Sequence, residues 1–326
     1  MKFFTRAALL GSTLASLMAT SAFAQTNWDM PTPYGDGIFH TQNIRQFADE
    51  VKEATGGSLN ITVHSANSLF GHAEIRDAVR DGSVPIGEFL LSRLANEDPI
   101  FALDSIPFLA SSYEEAVALW EASREAVSAK LAEQGLTVLY AVPWPGQSLY
   151  LRKEVNDPSA FQGLNFRAYN LATERMAQLL GATPTQVEET DIPTAFSTGR
   201  VEAMITSPST GANAKAWDFT THYIDTQAWL PKNIIVANTE ALEALTEAER
   251  KALLDAAADA EARGLEMSRA ETAAKIDELK NGGMVIMEPS EALTAKLAEI
   301  GETMTSEWEE TASDAGKSVV KAYRDR

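Results

Sequence analysis

The stretch Gly163–Asn170, GLNFRAYN, places an arginine inside what is otherwise the pattern of a buried strand. Leu164 and Phe166 are apolar residues of this strand, and Arg167 adds a permanent charge beside them. A guanidinium is rarely left unpaired in an apolar environment, because its desolvation is costly. Arg167 therefore needs an anionic partner. From these residues alone, that partner is equally well an acidic side chain or the carboxylate of a ligand.

Strand and helix patterns alternate on both sides of this stretch. Residues 59–66 and 136–144 are apolar runs of strand length, and residues 112–135 between them have helical spacing with a capping box at Ser112 and Glu115. The same patterns predict further strands in residues 83–91, 164–169, 202–207, 229–238 and 284–290. They predict helices in residues 73–82, 171–181 and 191–199, and a C-terminal helix around Glu302. This alternation is typical of an α/β fold with mainly parallel sheets.

A long helical tract runs from Thr246 to about Lys280 and begins with a capping box formed by Thr246 and Glu249. It is far longer than the usual helix of about 11–12 residues. One interpretation is a two-helix hairpin with a bend near Gly264. The other is a single helix that crosses from one lobe of the protein to another.

The first 24 residues have the pattern of an export signal. Lys2 and Arg6 precede an apolar run, residues 7–20, and the A-x-A pattern of residues 22–24 predicts cleavage after Ala24. The apolar run is short for a bilayer span and no charged stop-transfer segment follows it. We therefore expect a periplasmic protein without stable membrane insertion.

The rest of the chain has the size and charge of an acidic, two-lobed protein. The 302 residues after Ala24 exceed what a single core usually supports, which is roughly 250–300 residues. The formal charge of −19 disfavours nucleic acids and anionic membranes as partners, and any site for an anion requires local positive charge. Without cysteine, the chain forms no disulfide and has no thiolate nucleophile.

The sequence contains no catalytic motif. G-x-S-x-G, G-x-G-x-x-G, Walker A and H-E-x-x-H are all absent, and the four histidines, His40, His64, His72 and His222, lack metal-site spacing. The acidic residues fall mostly on polar helix faces, although a pair of catalytic carboxylates stays possible. The pattern favours binding over turnover, and we expect no cofactor and no metal.

Three features are typical of a binding site. Arg167 is a forked donor that can hold a carboxylate through two parallel hydrogen bonds. Trp144 lies between two prolines, at a bend that suits a crossing between lobes, although a core tryptophan is favoured. Thr206 and Ser207 end a strand just before Pro208, where hydroxyls and free N–H groups suit a small anion and an ordinary strand-to-helix turn is equally consistent.

Residues 161–204 resemble a known family. The segment contains GLNFRA at 163–168, GATP at 181–184 and AFSTGRVE at 195–202. In this order, the three motifs are similar to those of the DctP-like periplasmic solute-binding proteins of tripartite ATP-independent periplasmic (TRAP) transporters, and the resemblance extends over essentially the whole chain after the signal.

The resemblance implies two α/β lobes joined by crossing strands, a ligand cleft between the lobes and a long helix spanning both. Lobe I would comprise residues 25–144 and about 234–275, and lobe II residues 145–233 and about 276–326. The family arginine that pairs with the ligand carboxylate falls on Arg167. The expected function is capture of a small organic acid, without catalysis, and its delivery to TRAP membrane subunits.

Two departures from the family pattern bear on the ligand. Many members have a second arginine where this chain has Gln147, and this neutral amide favours a monocarboxylate over a C4-dicarboxylate. Where many members have R-V-P, this chain has R-A-Y, which places Tyr169 beside the arginine.

Further substitutions predict a less polar pocket. Thr206 or Ser207 stands where related proteins have an amide. Trp229, Phe89 and Tyr34 would make the pocket more aromatic if they faced the cleft, whereas each is equally consistent with core packing. We expect an apolar or aromatic monocarboxylate as the ligand.

Two other functions stay open at this point. A ligand-sensing receptor would use the same fold and the same site, and an exported hydrolase would use a carboxylate pair. An ABC-type binding protein is disfavoured, because the segment around Arg167 has the TRAP pattern.

Overall fold

The computed structural model describes residues 25–155 and 157–326, and the alternating pattern of the sequence appears in it as eleven strands and ten α-helices. The strands are β1 Thr26–Pro31, β2 Leu59–His64, β3 Ile86–Leu90, β4 Leu136–Pro143, β5 Ser148–Leu151, β6 Asn165–Ala168, β7 Thr183–Gln186, β8 Ala203–Thr206, β9 His222–Ile224, β10 Lys232–Asn238 and β11 Val285–Met287. The predicted export signal lies outside the described residues, so its cleavage stays a prediction.

The helices are α1 Phe39–Ala54, α2 His72–Arg80, α3 Tyr113–Ala132, α4 Leu171–Leu179, α5 Ile192–Ser197, α6 Pro208–Asn213, α7 Thr239–Glu243, α8 Glu247–Asn281, α9 Glu291–Thr311 and α10 Asp314–Arg324. Short 3₁₀ helices include Leu91–Leu94 and Glu189–Asp191. No helix within residues 25–155 and 157–326 is long and apolar enough to cross a bilayer.

The first lobe contains a three-stranded sheet and a separate two-stranded sheet, and the second lobe contains one six-stranded sheet. In the first lobe, β10 lies between β3 and β4, and the pair β1–β2 packs beside β3. In the second lobe, six strands follow the order β11-β9-β5-β8-β6-β7. The α/β class predicted from the sequence is therefore confirmed.

The sheets are mixed, so the expectation of mainly parallel pairing is wrong. β10 pairs antiparallel with β3 and β4, and β5 pairs antiparallel with β8 and β9. The parallel pairs are β1–β2, β6–β7, β6–β8 and β9–β11. The reason lies in the path of the chain: β4 leads out of the first lobe and β10 leads back into it, so the two neighbouring strands run in opposite directions.

Two crossing segments connect the lobes side by side. Residues 144–147 lead from β4 to β5, and residues 225–231 lead from β9 back to β10. The N–H of Trp144 donates to the Pro231 carbonyl (2.7 Å), and the N–H of Gln147 donates to the Trp229 carbonyl (2.9 Å). Trp144 is thus both a crossing residue and a buried one, and the two crossings form one hydrogen-bonded hinge.

The long helix α8 is a single helix of 35 residues that begins with the capping box of Thr246 and Glu249. It packs against α1 and β4 of the first lobe and against α6 and β11 of the second. The interpretation as a two-helix hairpin with a bend near Gly264 is therefore wrong. A Cβ atom at Gly264 would lie 2.5 Å from Val142 Cγ2 and 2.8 Å from Asn43 Nδ2, so this glycine lets the helix approach β4 closely.

The C-terminal helices bear on the predicted lobe boundaries. α9 contacts α4 of the second lobe, and its Trp308 indole N–H donates to the Pro99 carbonyl of the first lobe (2.7 Å). α10 packs on α3 of the first lobe. We propose that the last helix belongs with the first lobe. The other lobe boundaries stay predictions.

The contact at Gly264 gives a first prediction. Gly264→Ala should lower the free energy of unfolding by about 1–3 kcal/mol, because the added methyl group has no room against Val142. Chemical denaturation of both proteins measures the change. Helix propensity alone would raise stability by up to about 1 kcal/mol, and such a gain would contradict the close-packing account.

Candidate ligand-binding site

A cavity lies between the lobes, next to the hinge. Both lobes and both crossing segments contribute to its wall. The lining residues are Tyr34, His72, Leu90 and Arg93 of the first lobe, Trp144, Gln147 and Pro231 of the crossings, and Arg167, Tyr169, Glu188, Glu189, Thr206, Ser207 and Thr210 of the second lobe. A ligand in this cavity would contact both lobes at once.

Arg167 on β6 is buried in the cavity wall with 3% of its surface exposed. Its Nε donates to the Val187 carbonyl (3.0 Å), and its Cζ lies 5.1 Å from the centroid of the Tyr169 ring. Among the described residues, Nη1 has no hydrogen-bond partner, and no carboxylate lies within 4.0 Å of the guanidinium. Burial lowers the pKa of Arg167, but a guanidinium stays charged at neutral pH. The acidic side chain considered as its partner is therefore not found there.

Gln147 and Tyr169 form a hydrogen-bonded pair beside the arginine. The Tyr169 hydroxyl donates to Gln147 Oε1 (3.0 Å), and Gln147 Nε2 donates to the Pro145 carbonyl (2.9 Å). These two bonds fix the orientation of the amide and leave one of its N–H groups unused. Burial raises the pKa of Tyr169, so the phenol is neutral.

Tyr34 and Trp144 form an aromatic corner of the cavity. Their ring centroids are 5.0 Å apart at an interplanar angle of 68°. The Tyr34 hydroxyl (3.2 Å) and the Trp144 indole N–H (2.9 Å) both donate to Asn233 Oδ1. Asn233 Nδ2 in turn donates to Glu88 Oε1 (2.8 Å), so a buried carboxyl behind the wall orients both rings.

Glu88 is completely buried, and burial raises its pKa to about 7 despite hydrogen bonds from Thr32 and Asn233. His40 Nδ1 lies 3.6 Å from its Oε1, but burial lowers the pKa of that imidazole well below its usual range. Glu88 therefore has no cationic neighbour and titrates near neutral pH.

A salt bridge between Arg93 and Glu188 connects the lobes at the cavity. Arg93 Nη1 lies 3.1 Å and 3.2 Å from the two oxygens of Glu188. His72 Nδ1 lies 3.5 Å from the same carboxylate, and its Nε2 accepts the N–H of Leu90 (3.1 Å), which places the proton of the neutral ring on Nδ1. Burial raises the pKa of Glu188, but His72 and Arg93 more than compensate and lower it to about 2.

A second contact beside this salt bridge also joins the lobes. Asn170 Nδ2 donates to Ser92 Oγ (2.8 Å). The described arrangement is thus one in which the lobes are in contact across the cleft.

Glu189 and Thr206 are polar residues of the cavity wall whose side chains make no hydrogen bonds with other described residues. Glu189 is also in no ion pair with any described residue. Burial raises the pKa of Glu189, and the charge of Arg167 offsets only part of this increase. Ser207 differs, because its hydroxyl accepts the N–H of Thr210 (3.0 Å) as the N-cap of α6.

The structure brings together most of the residues that the sequence singled out. Seven line the cavity: Arg167, Gln147, Tyr169, Thr206, Ser207, Tyr34 and Trp144. Their contacts with a ligand stay predictions.

Phe89 and Trp229 do not line the cavity. Phe89 is buried in the core on the opposite face of β3 from Leu90, because successive side chains of a strand alternate between faces. Trp229 is fully buried in the core behind Tyr169 and Gln147. The expectation that these two face the cleft is corrected accordingly.

Sequence reasoning missed several charged wall residues. Glu188 and Glu189 lie two and three residues after the end of β7, within residues 161–204, and two adjacent acids in this segment were the signal that could have indicated them. Arg93 and His72 gave no such signal, since their partner is more than 90 positions away. Within the described residues, no group of three or more histidine or acidic side chains is arranged to hold a metal ion.

The two lobes, the crossing strands and a charged cleft between them define a two-lobed solute-binding protein. The chain belongs to the DctP family, described as bacterial extracellular solute-binding protein, family 7, whose model matches residues 36–313. The family and the fold are those of TRAP solute-binding receptors rather than of enzymes, and an extracytoplasmic location follows from the family.

Solved structures agree with this assignment. The chain is similar to DctP7 of Bordetella pertussis, an extracytoplasmic solute receptor binding pyroglutamic acid, with 44% identity, a TM-score of 0.91 and coverage of 92% of this chain and 99% of the other. It is also similar to a marine metagenome TRAP protein specific for pyroglutamate, with 40% identity, a TM-score of 0.91 and coverage of 93% and 99%.

A curated relative matches over a shorter length. This solute-binding protein of Albidiferax ferrireducens is 26% identical over 207 residues, and the match spans 61% of each chain.

The Glu88 carboxyl gives a prediction about pH. Because burial raises its pKa from 4.5 to about 7, the neutral carboxyl contributes stability that is complete below pH 4.5 and is lost as the pH rises through 7. Glu88→Gln keeps a neutral group there. The free energy of unfolding of the wild type should therefore fall by about 3 kcal/mol relative to the variant between roughly pH 5 and pH 8. Urea denaturation across this range measures the difference, and curves that run parallel would contradict the assignment.

Proposed function

We propose that this protein is the extracytoplasmic receptor for a small monocarboxylic acid of the pyroglutamate class, and that Arg167 pairs with the ligand carboxylate. The observation that carries the proposal is the state of Arg167. Its charge is buried at the cavity wall, and no carboxylate among the described residues lies within 4.0 Å of it. A carboxylate entering the cavity would complete the unused hydrogen-bonding capacity of the guanidinium.

The charges of the wall support a monocarboxylate. Arg93 and Glu188 neutralise each other, and Arg167 is left as the cation available to a ligand. A second ligand carboxylate would meet Glu189 and the neutral Gln147 instead of a second free cation. A C4-dicarboxylate is therefore disfavoured.

The shape of the cavity wall supports a flat, compact acid as the ligand. Tyr34, Trp144 and Tyr169 present rigid rings whose hydroxyl and indole groups are already hydrogen-bonded within the protein. A five-membered lactam ring can pack on such surfaces. The binding of pyroglutamate by two relatives with 44% and 40% identity supports this class of ligand over an aromatic acid.

We further propose that the loaded receptor delivers its ligand to TRAP membrane subunits in the periplasm. Membership of the DctP family supports this partner. The lobes would separate about the hinge at residues 144–147 and 225–231 to admit and release the ligand.

Substitution of Arg167 tests the proposal. Arg167→Gln should weaken L-pyroglutamate binding by at least about thirtyfold, because truncating one partner of a buried charge pair costs about 2–5 kcal/mol. Isothermal titration calorimetry measures the affinity. The melting temperature without ligand should not fall, since the variant removes a buried charge that forms no ion pair with any described residue.

Arg200→Gln is the matched control, because this arginine lies in the same lobe, is exposed, and donates to the Gln186 carbonyl away from the cavity wall. It should bind as the wild type does. An Arg167→Gln variant that keeps full affinity would rule out the carboxylate pairing.

A further inference from the structure

We propose that Glu189 is the specificity-determining residue of this site, and that its carboxylate accepts a hydrogen bond from an N–H group beside the ligand carboxylate. The inference rests on the proposed function and deepens it. It assigns the ligand to acids whose carboxylate is adjacent to a ring amide, rather than to monocarboxylates in general.

The carboxylate of Glu189 is available to bind a ligand, whereas that of the neighbouring Glu188 is not. The carboxylate of Glu188 is held by Arg93 and His72. Glu189 is half-buried at the same wall, and its side chain has no hydrogen bond or ion pair with any described residue. In its ionised form the Glu189 carboxylate only accepts hydrogen bonds, and the ligand group that would pair with this form is a donor.

The second observation is the relation between Glu189 and Arg167. The two charges act on each other electrostatically across the cavity, yet no nitrogen of Arg167 lies within 4.0 Å of Glu189. Arg167 is itself nine-tenths or more buried and has an unpartnered Nη1. A ligand that presents a carboxylate to Arg167 and a donor to Glu189 would satisfy both groups at once.

A lactam fits this pair better than an amino acid does. The amide N–H of a lactam is a single neutral donor, and Glu189 is a single free carboxylate. An ammonium group carries two or three donors, and the other carboxylate of the wall is already in the interlobe salt bridge. A lactone of the same shape would place oxygen lone pairs against Glu189, which leaves the carboxylate unpaired and repelled.

The test compares two ligands that differ only in this donor. L-Pyroglutamate and its lactone analogue, 5-oxotetrahydrofuran-2-carboxylate, are titrated calorimetrically into the wild type, Glu189→Gln and Glu189→Ala. The wild type should prefer the lactam by about a hundredfold or more, since a site built to pair an N–H rejects the analogue that lacks it. The preference should shrink in Glu189→Gln, whose amide oxygen still accepts, and fall below about threefold in Glu189→Ala.

Glu188→Gln is the control within the same wall. It breaks the interlobe salt bridge and should weaken both ligands by the same factor, which leaves the lactam-to-lactone ratio unchanged. Melting temperatures confirm that each variant is folded, and Glu189→Gln, which preserves the shape of the side chain, decides the case if the alanine variant fails to fold.

The outcomes separate this inference from the proposed function. Equal binding of lactam and lactone by the wild type, or a preference that survives in Glu189→Ala, would overturn the role of Glu189 while pyroglutamate binding stands. Tighter binding of L-proline than of L-pyroglutamate would assign Glu189 to an ammonium group and overturn the lactam assignment. Failure of the wild type to bind either ring acid would contradict the proposed function itself.

Discussion

The burial of Arg167 without an ion pair to any described residue is the constraint on which the rest of the site depends. The second lobe offers this guanidinium one carbonyl, that of Val187, and the face of the Tyr169 ring, but no carboxylate. These contacts compensate only part of its desolvation. Under the proposed pairing, a ligand carboxylate that enters the cavity would supply the rest, and ligand binding would stabilise the closed cleft.

In a protein whose formal charge is −19, no carboxylate oxygen among the described residues lies within 4.0 Å of the Arg167 guanidinium. Glu188 is paired with Arg93 from the opposite lobe, and Glu189 acts on Arg167 only from a longer distance. The same salt bridge joins the lobes next to the cavity. Behind the wall, Asn233 holds Tyr34 and Trp144 in place through Glu88. The hinge and the helix α8 then fix how the lobes meet.

Local patterns in the sequence predicted those features that are determined by residues close together in the chain, such as helices and strands. The capping box at Thr246 and the composition of the following tract indicated a long helical segment, which the structure shows to be a single helix. The charge at position 167 within an apolar strand indicated a residue that lines the cavity. The partners of these features were harder to predict. Arg93 and Glu188 are 95 positions apart, and Asn233 and Glu88 are 145 apart. Phe89 was predicted to face the cleft, but it lies in the core, because successive residues of a strand point to opposite faces and Leu90 is the one that lines the cavity.

The most direct test of the central claim is a crystal structure of the protein with L-pyroglutamate bound in the cleft. The account predicts a ligand carboxylate oxygen at about 2.7–2.9 Å from Nη1 of Arg167, as in other charge-assisted hydrogen bonds. A ligand whose carboxylate binds elsewhere on the wall and leaves Nη1 without an anionic partner would contradict it.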